Sequence, residues 1–257
     1  MPELPQVSAV EFRRELTTGT TRPCVFLCES DNDREEEYVT KMRHDVRDSG
    51  LGFECIAFHL ATYFGIDCPP AALVHLSLDL AVAQRRNQDV CDRITRNVGL
   101  NFGSTFLPGY NAWLQSHRLP SGLHPQAVNI VAFDALIDNA DRRKAKPNLL
   151  VNPSRLVVID HELSFSFLRL VGNRGPWFQR LQFLLDHPLY EELRGRDLDL
   201  REFRERLIAL DDVLIDDICF SVPREFAFDH SGRIAADLKE TRSDADGLLR
   251  GIQEVLR

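Results

Sequence analysis

The stretch that decides the fold is a polar loop that runs into an apolar segment. It reads Asp138-Asn139-Ala140-Asp141-Arg142-Arg143-Lys144-Ala145-Lys146-Pro147-Asn148-Leu149-Leu150-Val151. A turn at residues 152–154 follows, and then a second apolar run, Leu156-Val157-Val158-Ile159-Asp160-His161. Short apolar runs on either side of an Asn-Pro-Ser turn predict two paired strands. The acids of the loop and of the second strand should therefore meet at the open end of one strand-loop-strand unit.

Phosphoryl transfer explains why these residue types occur together. The reaction needs a carboxylate that orients and deprotonates the attacking hydroxyl, and an Asn and a second carboxylate that hold Mg²⁺ at the nucleotide phosphates. Asp141, Asn148 and Asp160 fit these three roles. The alternative is a solvated loop followed by a polar strand end. The apolar runs on both sides of the loop, together with the second Asp, favour the active-site interpretation.

The overall charge argues against nucleic acid or a membrane as a partner. The 257-residue chain carries 31 Lys and Arg against 39 Asp and Glu, a formal net charge of −8. Such a chain has no global basic field that would attract nucleic acid or anionic lipid. Residues 1–7 lack the features of a secretory signal and no stretch reaches membrane-spanning length, so we expect a cytoplasmic protein. The six cysteines form no Cys-x-x-Cys pair and are expected to be reduced core thiols.

The hydrophobic pattern changes along the chain. The elements expected in its first part are strands at residues 7–12, 23–29, 38–42 and 71–80, a turn at 17–21, a helix at 52–64 and a polar helix or linker at 80–97. From about residue 125 onward helical patterns dominate, apart from the paired strands around Asp160. The sequence therefore predicts an α+β fold, in which a small antiparallel sheet with one helix precedes a mainly helical part.

A few residues of the first part are candidates for binding nucleotide phosphates. Lys41 lies in a short β-prone run and fits either a phosphate-binding strand lysine or an exposed lysine on an edge strand. Glu54 lies beside the apolar stripe of the expected helix, where it would either pair with Lys41 or interact with the helix dipole. Gly103 and Ser104 belong to a segment, residues 99–104, that is a weaker candidate for a phosphate-contacting loop.

Several blocks of sequence follow one another in order over most of the chain. They are Val7-x-x-Val10, Gly19-x-x-Arg22-Pro23, Tyr38-Val39-x-Lys41, Glu54 in its helix, the run from Gly99 to Pro108, Phe133-Asp134-Ala135-Leu136-x-x-Asn139-x-Asp141-Arg142, the run from Pro147 to Val151, and Ile159-Asp160-His161. Together these blocks resemble the HipA-like kinases, specifically a short bacterial subgroup. The resemblance implies a two-lobed protein-kinase-like fold. Residues 1–95 would form an N-lobe that binds the nucleotide phosphates, and residues 96–257 a mainly helical C-lobe.

The resemblance also implies a reaction and roles for particular residues. Lys41 would bind the nucleotide phosphates, Glu54 would hold Lys41, and Asp141 would be the catalytic base, while Asp160 would be the principal metal ligand with Asn148 beside it. ATP and Mg²⁺ are the implied cofactors. The better-known members imply phosphorylation of Ser or Thr in a protein, but a fold does not choose the acceptor, so a protein and a small molecule both stay open.

Two positions depart from the subgroup pattern. The loop there runs Asp-Arg-x-x-x-Asn-Pro-Asn, and here Lys146 stands at the first Asn position. If that Asn is the metal ligand, the ammonium of Lys146 weakens the site or leaves room for one metal. If Asn148 is the ligand, which we favour because it runs directly into a strand, Lys146 should point away to solvent or to the acceptor. Glu162 is the second departure, because the subgroup usually has a small residue after the Ile-Asp-His segment, and a bulky acid there would restrict the metal-binding loop.

These two departures make a nucleotide-binding pseudokinase or regulatory module the main alternative function.

Overall fold

The first part of the chain folds into a closed barrel of five strands. The computed structural model describes residues 3–16, 21–32, 34–47, 49–169 and 175–257. The strands are β1 (Gln6–Glu15), β2 (Cys24–Ser30), β3 (Glu35–Lys41), β4 (Ala71–Leu76) and β5 (Gly99–Thr105). They pair in the order β1-β2-β3-β5-β4, and a parallel pairing of β1 with β4 closes the barrel. The predicted turn at residues 17–21, with Gly19, lies outside the described residues except for Thr21.

The burial pattern of the strands explains why the sheet closes. Val7 and Ala9 alternate with exposed neighbours along β1, while the first residues of β2 are buried on both faces. The pairing of β1 with β2 shifts register between Ala9 and Glu11 and again between Phe12 and Arg14. Such bulges bend a strand and increase its twist, which a small barrel requires.

Residues 99–104, predicted as a phosphate-contacting loop, form most of strand β5 instead. Gly103 pairs with Thr40 of β3 and with Ala72 of β4, so the segment lies between two strands. The loop prediction was therefore wrong, because the segment pairs with a strand on each side and Gly103 is closely packed in the barrel. A Cβ at Gly103 would lie 2.4 Å from Cγ2 of Val74. The barrel also extends past residue 95, the predicted end of the first lobe.

In the described residues three helices lie among the strands of the barrel, whereas the predicted fold had one helix and left residues 80–97 as a polar helix or linker. They are α1 (Gly50–Phe64), α2 (Leu78–Ala83) and α3 (Gln88–Arg96). The strand predicted for residues 71–80 stops at Leu76, because Oγ of Ser77 accepts a hydrogen bond from the backbone N–H of Leu80 and begins α2. The prediction of a purely antiparallel sheet with one helix is corrected accordingly.

Helix α1 connects the barrel with the rest of the molecule. Phe53 and Ile56 pack in the core of the helical part, whereas Leu51 and Cys55 pack with Leu73 and other residues of the barrel. The helix is buried along most of its length, so its side chains are held from two sides. Its start at residue 50 leaves no acidic side chain in its first turn. The dipole interaction considered for Glu54 therefore loses its basis.

The predicted strand-loop-strand unit is present in the second part of the chain. Strand β6 (Asn111–Ala112) pairs with β7 (Leu149–Asn152), which pairs with β8 (Arg155–Val158), all antiparallel. The remaining helices are α4 (His124–Leu136), α5 (Trp177–Arg180), α6 (Tyr190–Leu193), α7 (Arg201–Ala209), α8 (Asp212–Phe220), α9 (Ser231–Ser243) and α10 (Ala245–Val255). The part of the chain that the structure describes also has four 3-10 helices, Ser121–Leu123, Ser166–Arg169, Leu181–Asp186 and Arg224–Phe226.

The core of the helical part surrounds α4. All residues of this helix from 130 to 136 are buried, as expected of a segment that is apolar on nearly every side. The polar loop of residues 137–148 leaves the end of α4 and enters β7, so it starts from one rigid element and ends in another.

Among the described residues, no helix is both long and apolar enough to cross a membrane.

Candidate active site

A cavity of about 420 Å³ lies between the barrel and the β7–β8 hairpin. Apolar side chains from the barrel side and from the hairpin line one part of the cavity, including Val39, Phe106, Leu150 and Val158. Charged side chains, with Lys41 among them, line the other part. A concave site with an apolar wall and a few convergent polar groups is typical of a small-molecule pocket.

Three carboxylates surround the ammonium of Lys41. Its Nζ lies 2.6 Å from Oε1 of Glu54 on α1 and 2.8 Å from Oε2 of Glu162, and it also donates to Oδ1 of Asp160. The side chains of Lys41 and Glu54 are 12% and 5% exposed, so water screens the ion pair little. Strand β3, helix α1 and the end of β8 therefore meet at one buried charge cluster.

Burial and attraction act in opposite directions on the pKa values of this cluster. Burial lowers the pKa of Lys41, but the charges of Glu54, Asp160 and Glu162 outweigh burial and hold the pKa above its ordinary value. Burial raises the pKa of Asp160, yet the two lysines beside it lower the pKa well below the ordinary range. For Glu162 burial prevails and its pKa is raised. Lys41 and Asp160 therefore remain a charged pair at neutral pH.

Lys146 points into the site. Its Nζ lies 2.8 Å from Oδ2 of Asp141 and 2.8 Å from Oδ2 of Asp160. The amide of Asn148 donates to the same Asp141 oxygen at 3.3 Å. Of the two directions expected for Lys146, solvent or acceptor, the first was wrong, because the loop of residues 143–146 closes on itself and directs this side chain towards Asp141 and Asp160. Backbone hydrogen bonds of 2.9 and 3.1 Å between Arg143 and Lys146 hold that closure. The direction towards an acceptor stays a prediction.

Buried Arg142 connects the loop that precedes β7 with the loop that follows β8. Its side chain is fully buried and its Nε donates to Oδ2 of Asp134 on α4 at 2.6 Å. One terminal nitrogen donates to the backbone carbonyls of Asn148 and Ile159, the latter at 3.2 Å. The other lies 3.0 Å from Nε2 of His161. Because Arg142 contacts the ends of both β7 and β8, it fixes the residues that enter and leave the hairpin.

Asp134 is the buried anion that balances Arg142. It also accepts from Nδ2 of Asn139 at 2.8 Å and lies 3.1 Å from Nε2 of His187. Burial raises the pKa of Asp134, but the charge of Arg142 and the hydrogen bond with His187 prevail and lower it to about 2. Burial lowers the pKa of His187. Burying an unpaired carboxylate costs free energy, and the contacts with Arg142, Asn139 and His187 offset that cost for Asp134.

Two site residues adopt left-handed backbone conformations. Asn148 has φ of 46° and Asp160 has φ of 61°, and the backbone N–H of Ile159 donates to the carbonyl of Asn148 at 3.1 Å. Asn and Asp tolerate this region better than other residues, though it stays less favourable than ordinary strand geometry. Unfavourable backbone at two adjoining positions is typical of functional sites, where the surroundings hold it in place.

The family comparison agrees with this geometry. A family model described as HipA-like kinase matches residues 9–172, more than half of the chain. The chain belongs to the HipA-like kinase family. Membership makes it a kinase-type phosphotransferase and confirms the resemblance that the sequence blocks indicated. No curated protein matches the sequence.

One solved kinase structure shares the fold of this family member. The crystal structure of a Helicobacter pylori proinflammatory kinase, CtkA, matches with a TM-score of 0.54 and 12% sequence identity, covering 98% of this chain and 100% of the other. At this identity the likeness shows a shared fold. Golgi casein kinase matches with a TM-score of 0.47 and 14% identity, covering 98% of this chain and 74% of the other. A structure of that kinase with Mn/ADP bound matches at 0.47 and 13%, covering 100% and 74%.

Most of the residues singled out in the sequence lie around the one cavity. Lys41, Glu54, Asn148 and Asp160 all line it, and Asp141 joins them through Lys146 and Asn148. Ser104 also lines the cavity. Gly103 is the residue that the structure separates from this group, because the position where a side chain would begin is filled by Val74 inside the barrel.

Sequence reasoning missed the buried network and one partner of Lys41. Asp134 and Arg142 were seen only as members of a sequence block, although an acid within the apolar run of α4 signals a buried charge that needs a partner. Glu162 was interpreted as a bulky intrusion near the metal loop, whereas it is an ion-pair partner of Lys41. His161 was quoted for its position, yet its backbone N–H donates to Oε1 of Glu54 at 3.0 Å.

Acidic oxygens at the charged end of the cavity could hold a cation. Carboxylate oxygens of Glu54, Asp160 and Glu162 lie within 4.8 Å of one another. Hard divalent cations prefer such oxygen ligands. Lys41 contacts all three carboxylates and Lys146 contacts Asp160, so two ammonium groups already share these oxygens. The donor set therefore fits one divalent cation better than two.

Proposed function

We propose that this protein is an ATP- and Mg²⁺-dependent kinase that transfers the γ-phosphoryl group to a Ser or Thr hydroxyl of a protein. The observation that carries the proposal is the ion pair of Lys41 with Glu54 and Asp160 at the charged end of the cavity, where Lys146 connects Asp160 with Asp141. A strand lysine held by a helix glutamate, facing a catalytic-loop acid and a metal-binding acid, is the arrangement that phosphoryl transfer from ATP requires.

The two parts of the cavity suit the two parts of a nucleotide. Apolar side chains such as Val39 and Leu150 would contact the base, and Lys41 would contact the phosphates. The hydroxyl of Ser104 lies on the barrel side, where it could donate to a phosphate oxygen. Because Glu54 and Glu162 hold Lys41 from the protein side, the ammonium is oriented before the nucleotide arrives.

Asp160 and Asn148 would hold the Mg²⁺ ion. When bound, the ion supplies positive charge to the phosphate oxygens. The cluster contains four carboxylates, on Glu54, Asp141, Asp160 and Glu162, and two ammonium groups. With all of these groups charged, the four carboxylates exceed the two ammonium groups by two negative charges, which would repel a triphosphate. One divalent cation compensates that excess, which supports a metal requirement for nucleotide binding.

In the transfer step Asp141 would act as the base. The acceptor oxygen forms a bond to the γ-phosphorus, the bond from that phosphorus to the bridging oxygen of ADP breaks, and the hydroxyl proton passes to the carboxylate of Asp141. Lys146 and Asn148 both donate to Oδ2 of Asp141, which fixes the carboxylate in one orientation. An oriented base contributes through position as well as basicity.

A second candidate is a nucleotide-binding module with weak or no catalysis. The position of Lys146 favours it, since an ammonium 2.8 Å from Oδ2 of Asp141 and 2.8 Å from Oδ2 of Asp160 occupies carboxylate oxygens that a base and a metal ligand would use. A phosphotransferase that acts on a small molecule is the third candidate on the same fold. All three candidates predict that a nucleotide binds in the same cavity. They differ in whether a phosphoryl group is transferred and in the class of acceptor that receives it.

Incubation with labelled ATP separates these candidates. The protein is mixed with Mg²⁺ and ATP labelled at the γ or the α position, with and without cell lysate. Label from the γ position on protein supports the proposed kinase, and its release as phosphoserine or phosphothreonine after hydrolysis identifies the acceptor. Asp160→Ala should abolish transfer, whereas Asp229→Ala, at an exposed position, should not. Transfer from the α position, or nucleotide binding without any transfer, would refute the proposal.

A further inference from the structure

We infer that the ammonium of Lys146 takes the place of one divalent cation, so that this site binds ATP with a single metal ion. The inference rests on the proposed function, because it concerns how the same site holds the nucleotide. In the catalytic loop of protein kinases, Asp-x-x-x-x-Asn, the Asn binds a metal ion and a second ion lies nearby. Counting from Asp141, Lys146 occupies the position of that Asn.

The geometry places a positive charge where the loop would otherwise place a ligand oxygen. Nζ of Lys146 lies between the two functional acids, 2.8 Å from Oδ2 of Asp141 and 2.8 Å from Oδ2 of Asp160. Its side chain lines the cavity and is partly exposed there. A lysine ammonium has three N–H donors, and two carboxylates leave one for a phosphate oxygen. Lys146 can therefore do for a phosphate what a second cation does.

The neighbouring Lys144 points away from the cavity, so the inward direction is specific to Lys146. Nζ of Lys144 lies 3.1 Å from Oε1 of Glu191 and 5.4 Å from the ring centroid of Tyr190, on the surface of the helical part. Lys144 and Lys146 thus belong to the same loop and carry the same charge, but only Lys146 lines the cavity. Lys144 is a matched control for every substitution of Lys146.

The charges of the site agree with a single ion. With the four carboxylates of Glu54, Asp141, Asp160 and Glu162 all counted as ionised, two negative charges remain against Lys41 and Lys146, and one divalent cation neutralises them. A second divalent cation would lie close to the ammonium of Lys146 and be repelled by it. With Asn at position 146 the repelling charge disappears and a ligand oxygen is gained. The substitution should then restore the second metal position.

The experiment counts metal ions bound with a non-hydrolysable ATP analogue. Wild type, Lys146→Asn, Lys146→Met and Lys144→Asn are titrated with Mn²⁺ at saturating AMP-PNP, and free Mn²⁺ is measured by electron paramagnetic resonance. We expect one bound ion in wild type and in Lys144→Asn, and two in Lys146→Asn. Lys146→Met should bind one ion and show roughly tenfold weaker AMP-PNP binding at limiting metal, because a charge-assisted contact to phosphate is lost.

The outcomes distinguish failure of the single-metal inference from failure of the proposed function. Two ions in wild type, or one ion and unchanged AMP-PNP affinity in both Lys146 variants, would overturn the inference while leaving a nucleotide-binding kinase intact. Absence of AMP-PNP binding in all four proteins would refute the proposed function and the inference with it. Circular dichroism and melting temperature establish that each variant is folded before metal is counted.

Discussion

Nε2 of His161 accepts a hydrogen bond of 3.0 Å from the guanidinium of Arg142. Arginine is always a donor, so the proton of the neutral imidazole lies on Nδ1, which is 3.6 Å from Oε2 of Glu54. Glu54 in turn holds Lys41, and Asp134 holds Arg142. A continuous line of polar contacts therefore runs from helix α4, through the hairpin, to strand β3 of the barrel. This line of contacts couples the orientation of Lys41 to the buried ion pair of Asp134 with Arg142.

We predict that Lys41 and Glu54 act as a unit in ATP binding. Lys41→Met should weaken ATP binding by roughly tenfold or more, because a charge-assisted contact is lost. Glu54→Gln should have a smaller effect, since Asp160 and Glu162 still hold the ammonium. The double variant should bind ATP about as weakly as Lys41→Met alone.

Isothermal titration calorimetry on the three variants measures this coupling. Lys239→Met is the matched control, because its ammonium pairs with Asp216 on a distant helix. Additive losses in the double variant would mean that Glu54 does not act through Lys41. Glu54 would then be a residue that supports the fold of the cluster rather than the direction of the ammonium.

Asp141→Asn should separate catalysis from binding. We expect turnover to fall by about 10²–10⁴-fold, the usual contribution of a positioned base, while ATP affinity changes little. Initial rates with labelled ATP and equilibrium binding of AMP-PNP provide the two measurements, with the exposed Asp229→Asn as control. An equal loss of nucleotide affinity would instead assign Asp141 to the metal site or to the structure of the loop.

Asp134 should make stability depend on pH in the acid range. Its pKa is about 2 in the folded protein against an ordinary value of 3.8. A depressed folded pKa contributes stability above the unfolded value, and this contribution is lost as the pH falls towards 2. Asp134→Asn should lower the unfolding free energy by about 3–5 kcal/mol at neutral pH, because buried Arg142 loses its partner. The difference from wild type should shrink by about 2 kcal/mol between pH 5 and pH 2.

Urea denaturation at several pH values tests that prediction. Asp216→Asn, in an exposed pair with Lys239, should change stability by no more than about 0.5 kcal/mol at any pH. A destabilisation of Asp134→Asn that stays constant from pH 5 to pH 2 would contradict the assignment of the low pKa to Asp134.

Gly103→Ala should destabilise the barrel without a specific effect on nucleotide binding. A Cβ at this position would lie 2.4 Å from Cγ2 of Val74, and such overpacking costs about 1–3 kcal/mol. Gly122→Ala is the control, because nothing lies within 4 Å of a Cβ there. Thermal melting gives the stability, and AMP-PNP affinity is measured well below the melting temperature. A loss of affinity with unchanged stability would return Gly103 to a phosphate-contacting role.

Local sequence pattern was enough to predict the elements that carry the site. The hairpin of β7 and β8, the strand that ends in Lys41 and the helix that carries Glu54 each follow from a periodicity or a turn signal within a few residues. These features are local, because the backbone of a short segment and its own side chains decide them. The family blocks then placed Lys41, Glu54 and Asp160 in one expected site.

Only the tertiary structure decided how the strands close and where individual charges point. β5 joins β3 across about sixty residues of chain, and no local signal records such a pairing. The inward direction of Lys146, the contact of Glu162 with Lys41 and the burial of Arg142 depend on atoms supplied by remote segments. A charged side chain takes the direction that gives it partners, and in a folded protein those partners are assembled by packing rather than by neighbours in sequence.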